Sequence, residues 1–258
     1  MKWTLVSAVN NDTVLNSCLL QSGAAQAAVE VILQRGYADA AGAYNNALER
    51  ATSDVVVFAH QDVYLPANWA TEFSTVVEKL SATDPNWAVL GVYGVRQNGE
   101  HVGHVYCGGV ERMLGQKFSE PQRVNTLDEL LLVVRKSSGV RFDPLINGYH
   151  LYGADVCLEA QKRGCSVYAI PAFCIHNTNG YRTLPWAFWR NYLRLRRKWR
   201  DRLPITTSCT VITRWGWPAI LWNVDRAINL ALGRHRTGQR VPEPNKIYQS
   251  LAAAGKIS

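Results

Sequence analysis

The 258 residues are enough for one full core, and a composition 47% hydrophobic and 19% charged, with nine Trp and eleven Tyr, excludes an intrinsically disordered protein. Six cysteines, at positions 18, 107, 157, 165, 174 and 209, form no CxxC pair, which excludes a zinc ribbon and reads as ordinary reduced thiols. The net charge of +8 is local, because residues 182–202 hold eight Lys or Arg and one acidic residue.

Residues 3–9 read as a buried strand that breaks at Asn10-Asn11-Asp12. The run is too short for a signal peptide or a membrane span, so a cytoplasmic protein is expected. Residues 13–20 form a short predicted helix opened by Asp12 or Thr13, residues 30–33 a second strand, and Asp39 can cap a helix running to about Ala51. The apolar run 55–59 suits a strand covered on both faces. This βαβαβ order predicts a mainly parallel sheet with helices on both sides and ligands at the carboxyl ends of the strands. Further on, residues 69–80 form a predicted helix and 87–95 a strand, while glycines at 99, 103, 108 and 109 punctuate hairpins over 97–112. Strands at 130–134 and 167–170, a loop at 141–152, a helix at about 153–163 and a loop at 171–181 complete the expectation.

The segment His60-Gln61-Asp62-Val63 ends an apolar strand in polar residues able to bind a metal or a phosphate. A carboxylate at a strand's carboxyl end can hold a hard divalent cation, which neutralises a diphosphate and makes it a better leaving group. Taken alone, a solvated strand-end turn accounts for it equally well. Just before it stands Ala43-Tyr44-Asn45-Asn46-Ala47-Leu48-Glu49-Arg50-Ala51. The order of this Asn-bearing helix, an apolar strand and HQDV resembles the family 2 glycosyltransferases, in particular their streptomycin-biosynthesis-like branch. Asp62 matches the last acidic residue of that family's DXD-type motif. His60 stands where the first Asp often lies, Tyr44 where many members have Arg, and Gln34-Arg35-Gly36-Tyr37 replaces the usual acidic turn after the second strand.

Two later segments extend the resemblance. Residues 141–144 and 152–160, containing Gly153-Ala154-Asp155, look like the family's acceptor segment, which implies Asp155 as general base toward the acceptor hydroxyl. Without that match, a helix N-terminal Asp stabilised by the dipole is the commoner reading. Residues 168–177 resemble the strand and histidine-bearing loop of relatives in which the histidine completes the metal shell, here His176. A lone histidine is more often structural, but Asp62 and His176 would share one sheet edge. By the same resemblance Asn10, Gln34 and Asn45 lie near the nucleotide, beside Gln61 and Asp62 of the HQD segment.

Other features carry less. His101 and His104, at i and i+3 on a strand, point to opposite faces, so a shared metal is not expected. His150 can line an acceptor pocket or fill a loop, and Asp128 and Glu129 can reach a sugar or cap a turn. Residues 186–202 form a basic, aromatic, amphipathic helix that fits either a buried stripe with a solvated face or contact with anions, including an acidic membrane surface. Residues 215–232 can extend that surface without spanning a bilayer.

The expectation is therefore a GT-A-like α/β domain over 1–182 with a basic aromatic helical extension over 183–258. It implies a metal-dependent transferase taking a nucleotide diphosphate sugar with Mn²⁺ or Mg²⁺ and passing the sugar, with inversion, to a glycan, lipid-linked or small-molecule hydroxyl, in the cytoplasm or at the inner face of a membrane. The alternative is a non-catalytic nucleotide- or glycan-binding module on the same fold. Nucleic acid is not an expected partner, since no recognisable nucleic-acid module accompanies the basic segment.

Overall fold

Asp39 stops the chain in an extended conformation and its carboxylate accepts from Gly42 N at 2.7 Å. This satisfies an orphan donor and starts a helix whose Ala43, Tyr44, Ala47 and Leu48 face inward at helical spacing. Similar local logic builds most of the computed structural model, which describes residues 1–179, 184–234 and 238–257. The first half contains β1 (Trp3–Val9), α1 (Asp12–Ser17), α2 (Gly23–Ala27), β2 (Glu30–Arg35), α3 (Ala40–Arg50), β3 (Val55–Ala59), β4 (Val63–Tyr64), α4 (Trp69–Thr83), β5 (Trp87–Gly91), β6 (Tyr93–Val95), β7 (His101–Cys107) and β8 (Arg112–Gly115). Next come β9 (Gln122–Arg123), β10 (Thr126–Leu127), β11 (Leu131–Arg135), α5 (Tyr152–Lys162), β12 (Ser166–Ala169) and β13 (Cys174–His176). The chain ends in α6 (Trp186–Lys198), β14 (Ile205–Thr206), β15 (Val211–Ile212), α7 (Trp217–Ala231) and α8 (Pro244–Ala253).

The main sheet runs β2-β1-β3-β11-β5-β12-β9. Strands β2, β1, β3, β5 and β12 point one way, and β11 and β9 run against them. The mixed α/β, mainly parallel architecture is the one expected. Along β3 the side chains alternate between two cores. Val56 and Phe58 join the layer of α3, α5 and α6, whereas Val55, Val57 and Ala59 join Trp69, Phe73 and Val77 of α4.

Three local expectations are corrected. Asn11 caps α1, its side chain accepting from Val14 N, so that helix begins at Asp12 and ends by Ser17. The single strand expected over 87–95 is two, β5 in the main sheet and β6 in a second sheet of order β10-β6-β7-β13-β4. Glycines permit the crossing: a Cβ on Gly91 would lie 3.0 Å from Leu131 O, and one on Gly94 2.6 Å from Thr126 O. Finally, the loop expected over 171–181 contains β13, which is antiparallel to β4 and parallel to β7.

Helix α6 is packed onto the α/β layer. Phe188, Tyr192 and Leu195 are buried in the same cluster as Tyr44 and Phe58, each contributing roughly 1.5–3 kcal/mol relative to exposure. The domain boundary expected at 182–183 lies outside the described residues.

Candidate metal and nucleotide site

The chain leaves β1 to form β2 on one side and returns to form β3 on the other. A crevice therefore opens at the carboxyl ends of β1 and β3, the place where open α/β sheets hold ligands. Asn10 follows β1 and His60 follows β3. Gln61 ties the two ends together, its Oε1 accepting from Asn10 N at 3.1 Å and Asn11 N at 3.0 Å. A cavity of about 360 Å³ lies here, lined among others by Asn10, Tyr37, Tyr44, His60, Gln61 and Asp62.

A turn closed by Val63 N donating to His60 O at 3.0 Å presents Asp62. Pairing of β13 with β4 puts His176 opposite Val63, and Asn177 N donates to Asp62 O at 2.8 Å. His60, Asp62 and His176 each offer a ligand atom, all within 4.8 Å of one another. His176 Nε2 lies 3.4 Å from Asp62 Oδ1, and Tyr152 Oη is 3.1 Å from His60 Nε2.

Electrostatics divide the two imidazoles. Burial pushes His60 below its ordinary value despite the attraction of Asp62, leaving a neutral ring suited to ligation. Burial also disfavours the charged form of His176, but Asp62 overcomes it and raises the ring to about 10. Burial would raise Asp62 as well, yet His176, His60 and Arg240 together hold its carboxyl far below the usual range. One carboxylate and two imidazoles form a mixed O/N set that fits a divalent transition ion.

Arg240 completes the cluster from far along the chain. Its Nη2 lies 3.0 Å from Asp62 Oδ2, and its Nε donates to Asn177 O at 2.9 Å. Asn177 fixes the segment, accepting from Val241 N at 3.0 Å and donating to Val241 O at 2.8 Å. Gly238 N donates to Gly109 O at 3.1 Å, and a Cβ on Gly238 would collide with Gly108 O. The 238–241 segment thus lies across the site with a guanidinium on Asp62.

On the other side of His176 a larger cavity, about 590 Å³, is lined by Tyr93, Asp128, Trp222, Arg226 and others. Beside Asp128, Glu129 accepts from Gly153 N at 3.2 Å at the start of α5. Its carboxyl is pushed up to about 8, first by burial and then by the neighbouring Asp128.

A family model described as a glycosyltransferase-like family matches residues 4–187. The chain belongs to the glycosyltransferase-like family. One relative, the ATP synthase subunits region ORF 6 protein of Fuscovulum blasticum, is 34% identical over 139 residues, which are 50% of this chain and 53% of that protein. The chain thus spans about half of that relative's length. Among solved structures, GalNAc-T7 with UDP, GalNAc and Mn²⁺ is similar at a TM-score of 0.53 and 12% identity, over 78% of this chain and 49% of GalNAc-T7. That likeness shows a shared fold. The mannosyltransferase PcManGT from Pyrobaculum calidifontis, in complex with GDP-Man and Mn²⁺, matches 98% of this chain and 80% of its own at 14% identity, with a TM-score of 0.46.

Of the residues expected at this glycosyltransferase-like site, Asn10, Gln61, Asp62 and His176 do come together. Gln34 is buried with its Nε2 donating to Ala43 O at 2.7 Å and Asn46 Oδ1 at 2.9 Å, so it fastens α3 to β2. Asn45 clamps the backbone of Phe142, donating to its O at 2.8 Å and accepting from its N at 3.0 Å. Neither amide lines the cavity. Asp155 is 1% exposed, its Oδ1 bound by Trp199 Nε1 at 2.7 Å and its Oδ2 by Lys198 Nζ at 2.9 Å. Lys198 also reaches Asp143 and Glu159. As expected, His101 and His104 part ways, one beside Tyr93 Oη at 3.1 Å and the other against the Phe173 ring. His150 packs on Phe188. His60, marked only by its place in the HQD segment, and Arg240, marked by no local pattern, join the cluster beyond the residues expected there.

Proposed function

We propose that the chain is a metal-dependent, inverting sugar transferase of the family 2, streptomycin-biosynthesis-like type, using a nucleotide diphosphate sugar. The observation that carries this reading is the convergence of His60, Asp62 and His176 beside a cavity at the β1/β3 crevice. GalNAc-T7, solved with UDP, GalNAc and Mn²⁺, supports a nucleoside diphosphate donor and Mn²⁺, with Mg²⁺ as the substitute.

His60, Asp62 and His176 would hold the ion, which supplies neutralising charge to the diphosphate as it leaves. Asn10 and Gln61 border the donor cavity, and Tyr37 and Tyr44 offer aromatic walls there. Arg240 covers Asp62 in this arrangement and, when the carboxylate takes a cation, is free to turn its guanidinium to the departing phosphates. For proton removal, the resemblance points to Asp155, but both oxygens of that residue are bound in the interior. Asp128 is the carboxylate that lines the cavity shared with His176, and we assign it as the base toward an acceptor hydroxyl there. Direct displacement, with Asp128 taking the hydroxyl's proton as the diphosphate leaves, would invert the anomeric carbon.

One observation favours a second reading. Arg240 and His176 already compensate Asp62, as they would in a metal-free nucleotide-binding module. A thermal-shift screen of nucleotide sugars with and without Mn²⁺ separates the two. The transferase reading expects a Mn²⁺-dependent rise in Tm with one donor and slow nucleoside diphosphate release, both lost in Asp62→Ala. Asp128→Asn should keep the rise and lose at least ~10²-fold of the turnover, the scale of a removed general base. A Tm rise that is indifferent to Mn²⁺ and to Asp62→Ala supports the binding module.

A further inference from the structure

Helix α7 has one buried residue, Ala219, and an apolar stripe with no partner among the described residues. Trp217, Leu221, Val224, Ile228 and Leu232 recur at helical spacing along one side and are all exposed. Trp215, 76% exposed, precedes the helix, and Trp186, 75% exposed, begins α6 close by, since Leu184 N donates to Asn223 Oδ1 of α7 at 3.4 Å. So large an apolar area is unusual for a surface that stays in water. No described helix is long and apolar enough to cross a membrane.

Charge selects the occupant. Over the described residues 184–234 the exposed charged side chains are six arginines, Arg190, Arg197, Arg200, Arg202, Arg214 and Arg234, against Asp201 and Asp225. A second copy meeting this face would set arginines against arginines. A bilayer rich in anionic lipid accepts both the Trp-bearing stripe and the cationic flank, the combination by which interfacial helices lie in the headgroup plane.

We propose that α7, with the start and basic flank of α6, docks this protein in the plane of an anionic lipid surface, and that its sugar acceptor is carried by that surface. The opposite side of α7 supplies the reason for the second clause. Trp222 and Arg226 line the 590 Å³ cavity that reaches His176 and Asp128, so the helix lying on the lipid also forms a wall of the cavity assigned to the acceptor. That clause rests on the transferase reading above, whereas the docking itself does not.

The test is flotation of the full chain with vesicles of phosphatidylcholine alone and of phosphatidylcholine with about 30% phosphatidylglycerol, at low and high salt. The expected result is at least tenfold stronger binding to the anionic vesicles, weakened by salt as charge screening requires. The double substitution W217S/L221S should lower it at least tenfold while leaving nucleoside diphosphate release unchanged. As a readout independent of any variant, brominated phosphatidylcholine in the anionic vesicles should quench the protein's Trp emission. Absence of binding to anionic vesicles would overturn the proposal, as would a dimer in sedimentation that W217S/L221S dissociates, since the stripe would then face a second copy. If vesicles bind but no nucleoside diphosphate is ever released, the transferase reading fails and the docking stands.

Discussion

Two buried carboxylates, Asp62 and Asp155, are each compensated by cations, yet their surroundings differ. Asp62 borders a cavity, and its partners are two groups able to leave, a histidine that can lose its proton and an arginine on a late segment. Asp155 is closed off, and its partners are Lys198 and the Trp199 indole, both part of the α6 packing. An ion pair facing a cavity is a site in waiting; the same pair sealed in a core is a fastener. Carboxylate identity and helix position do not distinguish them. Replaceability of the partners does.

The sharpest way to break that contrast is Lys198→Ala. It leaves three carboxylates, Asp143, Asp155 and Glu159, without their shared cation, and loss of one partner of a buried pair costs about 3–5 kcal/mol. Chemical denaturation should register that loss, with Mn²⁺ affinity of the remaining folded protein unchanged. An equal loss of Mn²⁺ affinity would show that the two regions are one.

Arg240→Ala should act the other way. Removing the guanidinium from Asp62 takes away a competitor, so Mn²⁺ alone should bind about tenfold more tightly, ~1.4 kcal/mol, while nucleoside diphosphate release slows. Calorimetry without nucleotide reads the first effect and a coupled release assay the second.

The effect that grows with pH concerns Glu129. Its carboxyl titrates near 8 in the fold and near its ordinary 4.5 when unfolded, so its favourable contribution is complete below 4.5 and is lost as pH rises through 8. Glu129→Gln keeps an oxygen for Gly153 N but cannot ionise. The variant should match wild type near pH 4.5 and exceed it by several kcal/mol at pH 9, at about 1.4 kcal/mol per pH unit between the two values. Melting temperatures across that range show the sign directly.

Much of this was legible in the residues. The Val55–Ala59 run, the Asp39 cap and the apolar spacing of α3 are local signals, and each formed the element they predict. The HQD segment announced itself because polar residues that end an apolar strand need partners at the sheet's carboxyl edge. What was not legible depends on distant partners. Cys174–His176 is a strand only because β4 and β7 supply its hydrogen bonds, and three residues carry no periodicity of their own. Gln34 and Asn45 have side chains suited to a nucleotide, but whether an amide meets a ligand or a backbone is decided by the neighbouring helix and loop. Asp155 sits at the helix position the family pattern implies, and only the packing of α6 shows that Lys198 and Trp199 enclose it. Arg240 reaches Asp62 across the whole domain, with no spacing rule to forecast it.

His60, Asp62 and His176 are expected to hold a divalent cation at the donor crevice. Electron paramagnetic resonance of Mn²⁺ titrated into the full chain with a saturating nucleoside diphosphate tests it most directly. One tightly held Mn²⁺ per chain is expected in wild type, with affinity that rises with pH as His176 gives up its proton and with loss of that bound fraction in Asp62→Ala. A free-ion spectrum in wild type, or an unchanged bound fraction in Asp62→Ala, would contradict it.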